Sequence, residues 1–228
     1  MTAIFITATG TEVGKTFVAA ALIRHLRRMG RSVEAIKPVV SGFDPQDYAA
    51  SDPAVLLQAL GFPATLPNIE RVSPWRFRAA MSPDAAARKE DRRIDVDEVV
   101  AFCQSAIEQR QDILLIEGIG GVMVPLDDRH TVLDWMVAVN VPVLLVTGSY
   151  LGTLSHTLTA CEVLARAGLT LRAIVLNDTG DGAVPLSDTR ATLQRFVRDV
   201  SIVTIPRVKS WLGAKAEFAL LARSLFDE

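Results

Sequence analysis

The segment Thr7-Ala8-Thr9-Gly10-Thr11-Glu12-Val13-Gly14-Lys15-Thr16 joins a short apolar run, Ala3-Ile4-Phe5-Ile6, to a helix-like stretch from Phe17 to Met29. A strand, a tight turn ending in Gly-Lys-Thr and a helix together form a setting that can hold a nucleoside triphosphate. Backbone N–H groups of the turn and the positive end of the helix dipole face the phosphates. In that reading Lys15 reaches the β- and γ-phosphates and the Thr16 hydroxyl ligates Mg²⁺. The position five before Gly14 is Thr9 rather than the usual glycine, and a glycine stands at Gly10 instead.

Two further segments carry charge where a buried strand ends. Lys37, in Lys37-Pro38-Val39-Val40-Ser41-Gly42, closes an apolar run in which a lysine without a task would be costly. Beside a phosphate loop it can serve as a second cation on a transferred phosphoryl group. That reaction is catalysed mainly by positioning and charge neutralisation. Glu117 follows Ile113-Leu114-Leu115-Ile116 and precedes Gly118-Ile119-Gly120-Gly121. A carboxylate at that place suits a metal-binding acid, and the glycines allow close backbone approach. Asp52, in Ala50-Ser51-Asp52-Pro53, is a candidate partner for the same metal and, read alone, a helix N-cap.

The elements that must position these residues are short, dense in Val, Ile and Leu, and without polar alternation: Ala3–Thr7, Val33–Lys37, Ile113–Glu117, Val141–Thr147, Leu171–Asn177 and Ser201–Ile205. Such runs read as parallel strands covered on both faces. Helical segments are expected at Phe17–Met29, Pro53–Leu60, Asp95–Arg110, Thr153–Ala167, Ser187–Arg198 and Ala214–Phe226. This alternation predicts a single α/β domain over residues 1–228, built on one doubly wound, mostly parallel sheet of the P-loop NTPase kind. Ligands of such sheets bind at the carboxyl ends of the strands, where Thr7, Lys37, Glu117, Thr147 and Asn177 fall. Ser41 to Ile94, with Pro45, Pro53, Pro63, Pro67, Pro74 and Pro83, breaks the pattern and is expected to hold one short helix and long loops.

Composition narrows the function. A net charge of -2 gives no pull toward nucleic acid or anionic membrane. No apolar run is long enough to span a bilayer, and Met1-Thr2-Ala3-Ile4-Phe5 lacks the basic start of a signal peptide. Cys103 and Cys161 lie in separate helical segments without metal-ligand spacing, as in a reduced cytoplasmic protein. His25, His130 and His156 likewise show no metal spacing, and Trp75, Trp135 and Trp211 read as core or interface anchors.

Taken in order, these segments resemble the dethiobiotin synthetases, ATP-dependent enzymes of biotin synthesis. The resemblance covers nearly the whole chain. Thr11 to Thr16 is similar to the family's phosphate loop, Lys37-Pro38-Val39 with Ser41-Gly42 to its Lys-Pro-Val-x-Ser-Gly, and Ser51-Asp52 to its Ser-Asp pair. Ser82-Pro83, Glu117-Gly118-x-Gly120-Gly121, Pro125-Leu126, Asp134-Trp135, Leu151-Gly152 and Asn177-Asp178 also fit. The resemblance implies a homodimer that takes 7,8-diaminopelargonate, CO₂ and Mg-ATP. An amine captures CO₂ as a carbamate, the carbamate attacks the γ-phosphate, and the neighbouring amine closes a ureido ring and expels phosphate. It further implies that Thr16, Asp52 and Glu117 hold Mg²⁺ and that Lys15 and Lys37 are catalytic. By the same match Thr11, Glu12, Val13, Gly14, Lys15, Thr16, Asn177 and Pro206 bind ATP, and Ser41, Lys37, Leu151 and Gly152 meet the substrate.

The chain departs from the family pattern at Ala8, where the family has its first loop glycine, at Asp84 after Ser-Pro, and at Ser155-His156 in place of Asn-His. Val203-Thr204-Ile205-Pro206 replaces a Gly-x-Ile-Pro stretch near the base, and the match fades from Arg207 onward. A switch ATPase of the partition or cell-division type is the competing reading. Those proteins carry a lysine five residues before the loop lysine, where this chain has Gly10, and the tail ending in Asp227-Glu228 is poorly suited to anionic lipid.

Overall fold

A computed structural model describes residues 2–109, 112–180, 182 and 184–226. Met1, Arg110, Asp227 and Glu228 therefore lie outside the described residues. The elements run β1 (Thr2–Ala8), α1 (Lys15–Arg28), β2 (Val33–Ile36), β3 (Val39–Ser41), α2 (Asp52–Leu60), α3 (Leu66–Val72), β4 (Trp75–Phe77), α4 (Pro83–Lys89), α5 (Val96–Gln109) and β5 (Ile113–Glu117). They continue through α6 (Val132–Val139), β6 (Val143–Gly148), α7 (Thr153–Arg166), β7 (Leu171–Asn177), α8 (Leu186–Phe196), β8 (Ser201–Ile205), a 3₁₀ turn (Trp211–Ala214) and α9 (Lys215–Phe226).

Six strands form one sheet in the order β2-β5-β1-β6-β7-β8, with every pairing parallel. Side chains alternate across it as strand geometry requires. From β1, Ile4 and Ile6 enter the apolar layer beneath α1 and α9, with Leu22, Ile23, Phe218 and Leu221. Phe5 enters the opposite layer with Leu114, Ile116, Trp135 and Leu145. Phe5 and Trp135 meet edge to face with ring centroids 4.8 Å apart.

Register fixes the neighbours at the carboxyl rim. Ile36 pairs with Ile116 and Ile6 with Glu117. Lys37, the next residue after β2, is thereby set level with Glu117 on the adjoining strand. The order also reverses around β1, with β5 and β2 on one side and β6 to β8 on the other, which opens a crevice where ligands of such sheets bind.

The expected strands appear within two residues of their assigned ends. Ser41 to Ile94 needs correction: it holds α2, α3, β4 and α4, and β3 pairs in parallel with β4 as a second, two-stranded sheet. Prolines misled the reading. Pro53, Pro67 and Pro83 each stand in the first turn of a helix, where a missing N–H costs nothing and the fixed φ is already helical.

Candidate functional site

Gly14 begins the site. It is the residue before α1 and adopts φ 94°, and a Cβ there would lie 2.3 Å from Asn177 Nδ2. Both the backbone and the space therefore demand glycine. The turn from Gly10 to Gly14 so wraps the amino end of α1 that its first helical residues, Lys15 and Thr16, face the crevice beside β1.

Lys15 Nζ donates to Gly10 O at 3.2 Å and to Gly120 O at 2.8 Å, linking the phosphate loop to the glycine loop after β5. Gly118 packs under Phe5, and Gly121 lies against the Thr9 carbonyl. A side chain at Gly118 would run into the Phe5 ring of β1, and one at Gly121 would press on the phosphate loop at Thr9 and Gly10. Burial and the nearby Lys37 charge lower the Lys15 pKa to about 8.

Beneath Lys15 is a charge cluster, buried except at Asp52. Lys37 Nζ lies 2.6 Å from Glu117 Oε1 and 2.8 Å from Asp52 Oδ2. The Thr16 hydroxyl donates to the same Glu117 oxygen at 2.6 Å. Burial works against the charge on Lys37, but Glu117 and Asp52 outweigh it and hold the ammonium above its ordinary pKa. Burial likewise pushes the Asp52 carboxyl up, and the Lys37 charge with its hydrogen bond brings it below its ordinary value. Lys37 is thus a fixed positive charge at neutral pH: it can donate hydrogen bonds and cannot act as a base.

A cavity of about 440 Å³ opens over this cluster. Thr11, Glu12, Gly14, Lys15, Thr16, Lys37, Ser41 and Asp52 line it, with Ile119 and Gly120. Val13 faces inward and is buried. Glu117 is only 1% exposed and supports Lys37 and Thr16 from below. Its Oε2 is buried without a hydrogen-bond partner, an expensive arrangement for a carboxylate oxygen. Thr16 Oγ1, Asp52 and this orphaned oxygen are the hard oxygen donors that Mg²⁺ selects, so the residues present fit that ion. Among the described residues no group of three or more His, Cys, Asp or Glu side chains converges. An ion held here would draw its remaining ligands from phosphate and water, as Mg²⁺ commonly does.

The other sequence candidates fall elsewhere. Asn177 ends β7 and donates to Val13 O at 3.1 Å, bracing the loop from outside the cavity. Pro206 follows β8 on the exposed surface. Leu151 is 96% exposed and Gly152, the residue before α7, has φ 96°. Both line a separate cavity of about 350 Å³ rather than the one above Lys37. Asp84, on α4, is tied to Arg88 at 2.7 Å. Missed from sequence was a chain of hydroxyls from Thr9 through Thr147 to Thr153 and Thr157. Its only sequence signal was Thr147 at a strand end.

A protein-family profile described as an AAA domain matches residues 2–211. The ATP-dependent dethiobiotin synthetase of Acidiphilium cryptum is 45% identical over 223 residues, covering 95% of this chain and 99% of its own. The enzyme of the same name from a Caulobacter species is 47% identical, covering 97% and 96%. The chain belongs to the dethiobiotin synthetase family.

Family membership also places the structural neighbours. The septum site-determining protein MinD of Pyrococcus horikoshii, solved with Mg-ADP, superposes with a TM-score of 0.56 at 18% identity, covering 95% of this chain and 86% of that one. The cell-division ATPase MinD of Pyrococcus furiosus gives 0.57 at 18%, covering 97% and 100%. These likenesses show that the chain shares its fold with the two MinD proteins. They do not transfer function. Among the described residues no helix is long and apolar enough to cross a membrane.

Proposed function

We propose that the chain catalyses the reaction for which its family is named: it is an ATP-dependent dethiobiotin synthetase, a ligase. One observation carries the site assignment. Lys15, Thr16, Lys37, Ser41 and Asp52 come from three separate segments and line one cavity at the carboxyl rim of the sheet.

In this reading the triphosphate lies along the turn from Thr11 to Thr16, with the loop N–H groups and the amino end of α1 toward it. Lys15 leaves its carbonyl partners to meet the γ-phosphoryl group. An amine nitrogen of 7,8-diaminopelargonate bonds to CO₂ and loses a proton, giving a carbamate. Lys37 and Ser41 hold that carbamate with one oxygen toward the γ-phosphorus. As that oxygen bonds to phosphorus, the bond to the bridging oxygen breaks and ADP leaves. The second amine then attacks the carbamoyl carbon and gives up a proton as phosphate departs, and the ureido ring closes. Lys37 acts throughout as a permanent charge, worth most in a water-poor cavity. Mg²⁺, when bound by Thr16, Asp52 and Glu117, would neutralise phosphate charge.

Asn177 and Pro206 border the base in this assignment. Leu151 and Gly152, outside the cavity, serve substrate near the contact surface of a homodimer. Residues 1–228 act as one synthetase domain in the cytoplasm, without nucleic acid or membrane as a partner. Phosphate release from Mg-ATP with bicarbonate, measured with and without the diamine, tests the reading. Diamine-dependent release with a ureido product by mass is expected. Slow release indifferent to the diamine would sink it and favour a switch ATPase.

A further inference from the structure

The turn between β6 and α7 is tied to the phosphate loop by a single chain of hydrogen bonds in which every proton has one place to go. Thr153 Oγ1 donates to Gly148 O at 2.6 Å, which spends its only proton. The 2.9 Å contact between Thr147 and Thr153 is therefore donated by Thr147. Thr157, also 2.9 Å from Thr147, must then donate to it. Thr9 donates to Thr147 at 3.1 Å. With its proton used, Thr9 accepts from the Tyr150 hydroxyl at 3.2 Å. Tyr150 in turn can only accept at its 3.0 Å contact with His156 Nδ1. A hydroxyl carries one proton, so the direction set at Gly148 runs unbroken to the imidazole.

We propose that Tyr150 and His156 are positioning residues for the nucleotide, with His156 fixed as the Nδ1–H tautomer so that Tyr150 can hold Thr9 and the phosphate loop in register with the start of α7. This rests on the reading of the loop as the ATP site. Thr9 is the residue before Gly10, whose carbonyl accepts from Lys15. The Thr9 carbonyl packs on Gly121, and its amide donates to Val146 O at 3.0 Å. Thr9 therefore connects the lysine's acceptor, the glycine loop and β6. Without the Tyr150 contact, Thr9 keeps its bond to Thr147 and its backbone ties but loses its link to the turn that opens α7. His156 is exposed and its ring lies 5.6 Å from that of Tyr150, so little but this hydrogen bond sets its orientation.

Two measurements test the proposal, and neither requires diamine turnover. The first is the ¹⁵N spectrum of the His156 ring in the intact protein, recorded above the imidazole's titration. A protonated Nδ1 and bare Nε2 are expected, with the preference lost in Tyr150→Phe; an Nε2–H ring in the unsubstituted protein overturns the proposal. The second is ATP titration by calorimetry with magnesium present. Tyr150→Phe and His156→Ala should each raise Kd by a factor of about five, the size of one lost neutral hydrogen bond. The double variant should be no worse than either single one. His156→Asn, which can still present an N–H near the Nδ1 position, should restore most of the affinity. Additive losses, or a His156→Asn as weak as His156→Ala, overturn it. If ATP does not bind the unsubstituted protein at all, the reading of the site fails, whereas the ring spectrum still decides the tautomer.

Discussion

Lys37 Nζ and Glu117 Oε1 face each other at 2.6 Å, 3% and 1% exposed, on adjoining parallel strand ends. A buried pair of this kind gains little net stability against well-packed apolar residues, yet removing one member leaves an uncompensated charge. Its presence beneath a cavity accords with a role in holding charge for chemistry.

Lys15→Ala and Lys37→Ala should each lose on the order of 10²-fold or more in turnover, the usual scale for deleting a preorganised charge stabiliser. Steady-state kinetics check this. Near-normal turnover in both would remove the assigned roles.

Glu117→Gln should shift the magnesium dependence of phosphate release to higher concentration. The orphaned Oε2 is an available hard donor in this cluster, and an amide is a poorer ligand than a carboxylate. A magnesium titration that superposes on that of the unsubstituted enzyme would take Glu117 out of the metal site.

ATP affinity should fall as pH rises through about 8. Lys15 is lowered to about that value by burial and by Lys37, so below it the ammonium is present to meet phosphate and above it the neutral amine prevails. Bound phosphate favours the charged form, so the complex takes up a proton on the alkaline side. Affinity then weakens by up to tenfold per pH unit above the free value. Calorimetry in buffers of different ionisation enthalpy would read that uptake directly. A flat affinity between neutral pH and about one unit above the free pKa contradicts it.

Gly14→Ala should abolish measurable ATP binding while the protein remains folded by circular dichroism. The new Cβ would fall 2.3 Å from Asn177 Nδ2 at a φ of 94°. Either the loop shifts or the Asn177 side chain leaves Val13, and both changes disturb the seat of Lys15. Tight ATP binding by this variant would show that the loop tolerates rearrangement.

Much of this site could be read from sequence because its chemistry is local. Gly14-Lys15-Thr16 sits between a strand and a helix, and Glu117 ends a wholly apolar run, so both announce their places by type and spacing. Lys37 was legible for a different reason: a charged residue closing a buried strand demands an explanation. What joins them is register, and only the pairing of Ile36 with Ile116 shows that Lys37 and Glu117 share a level. The Thr9–Tyr150–His156 chain was illegible because its members lie 138 or more residues apart from Thr9 and are individually ordinary. The region around α3 and α4 failed on proline, whose meaning reverses between the interior of a helix and its first turn.

That proline-opened region has a consequence for how the family can change. Short helices that each carry their own start signal, grouped around a two-stranded sheet outside the main one, can accept new side chains piece by piece. The parallel sheet cannot, since a change in one strand disturbs neighbours on both sides and both faces. Apart from Ser41 and Asp52, which line the cavity, the side chains of this outer group can therefore vary while the rim of the parallel sheet stays fixed.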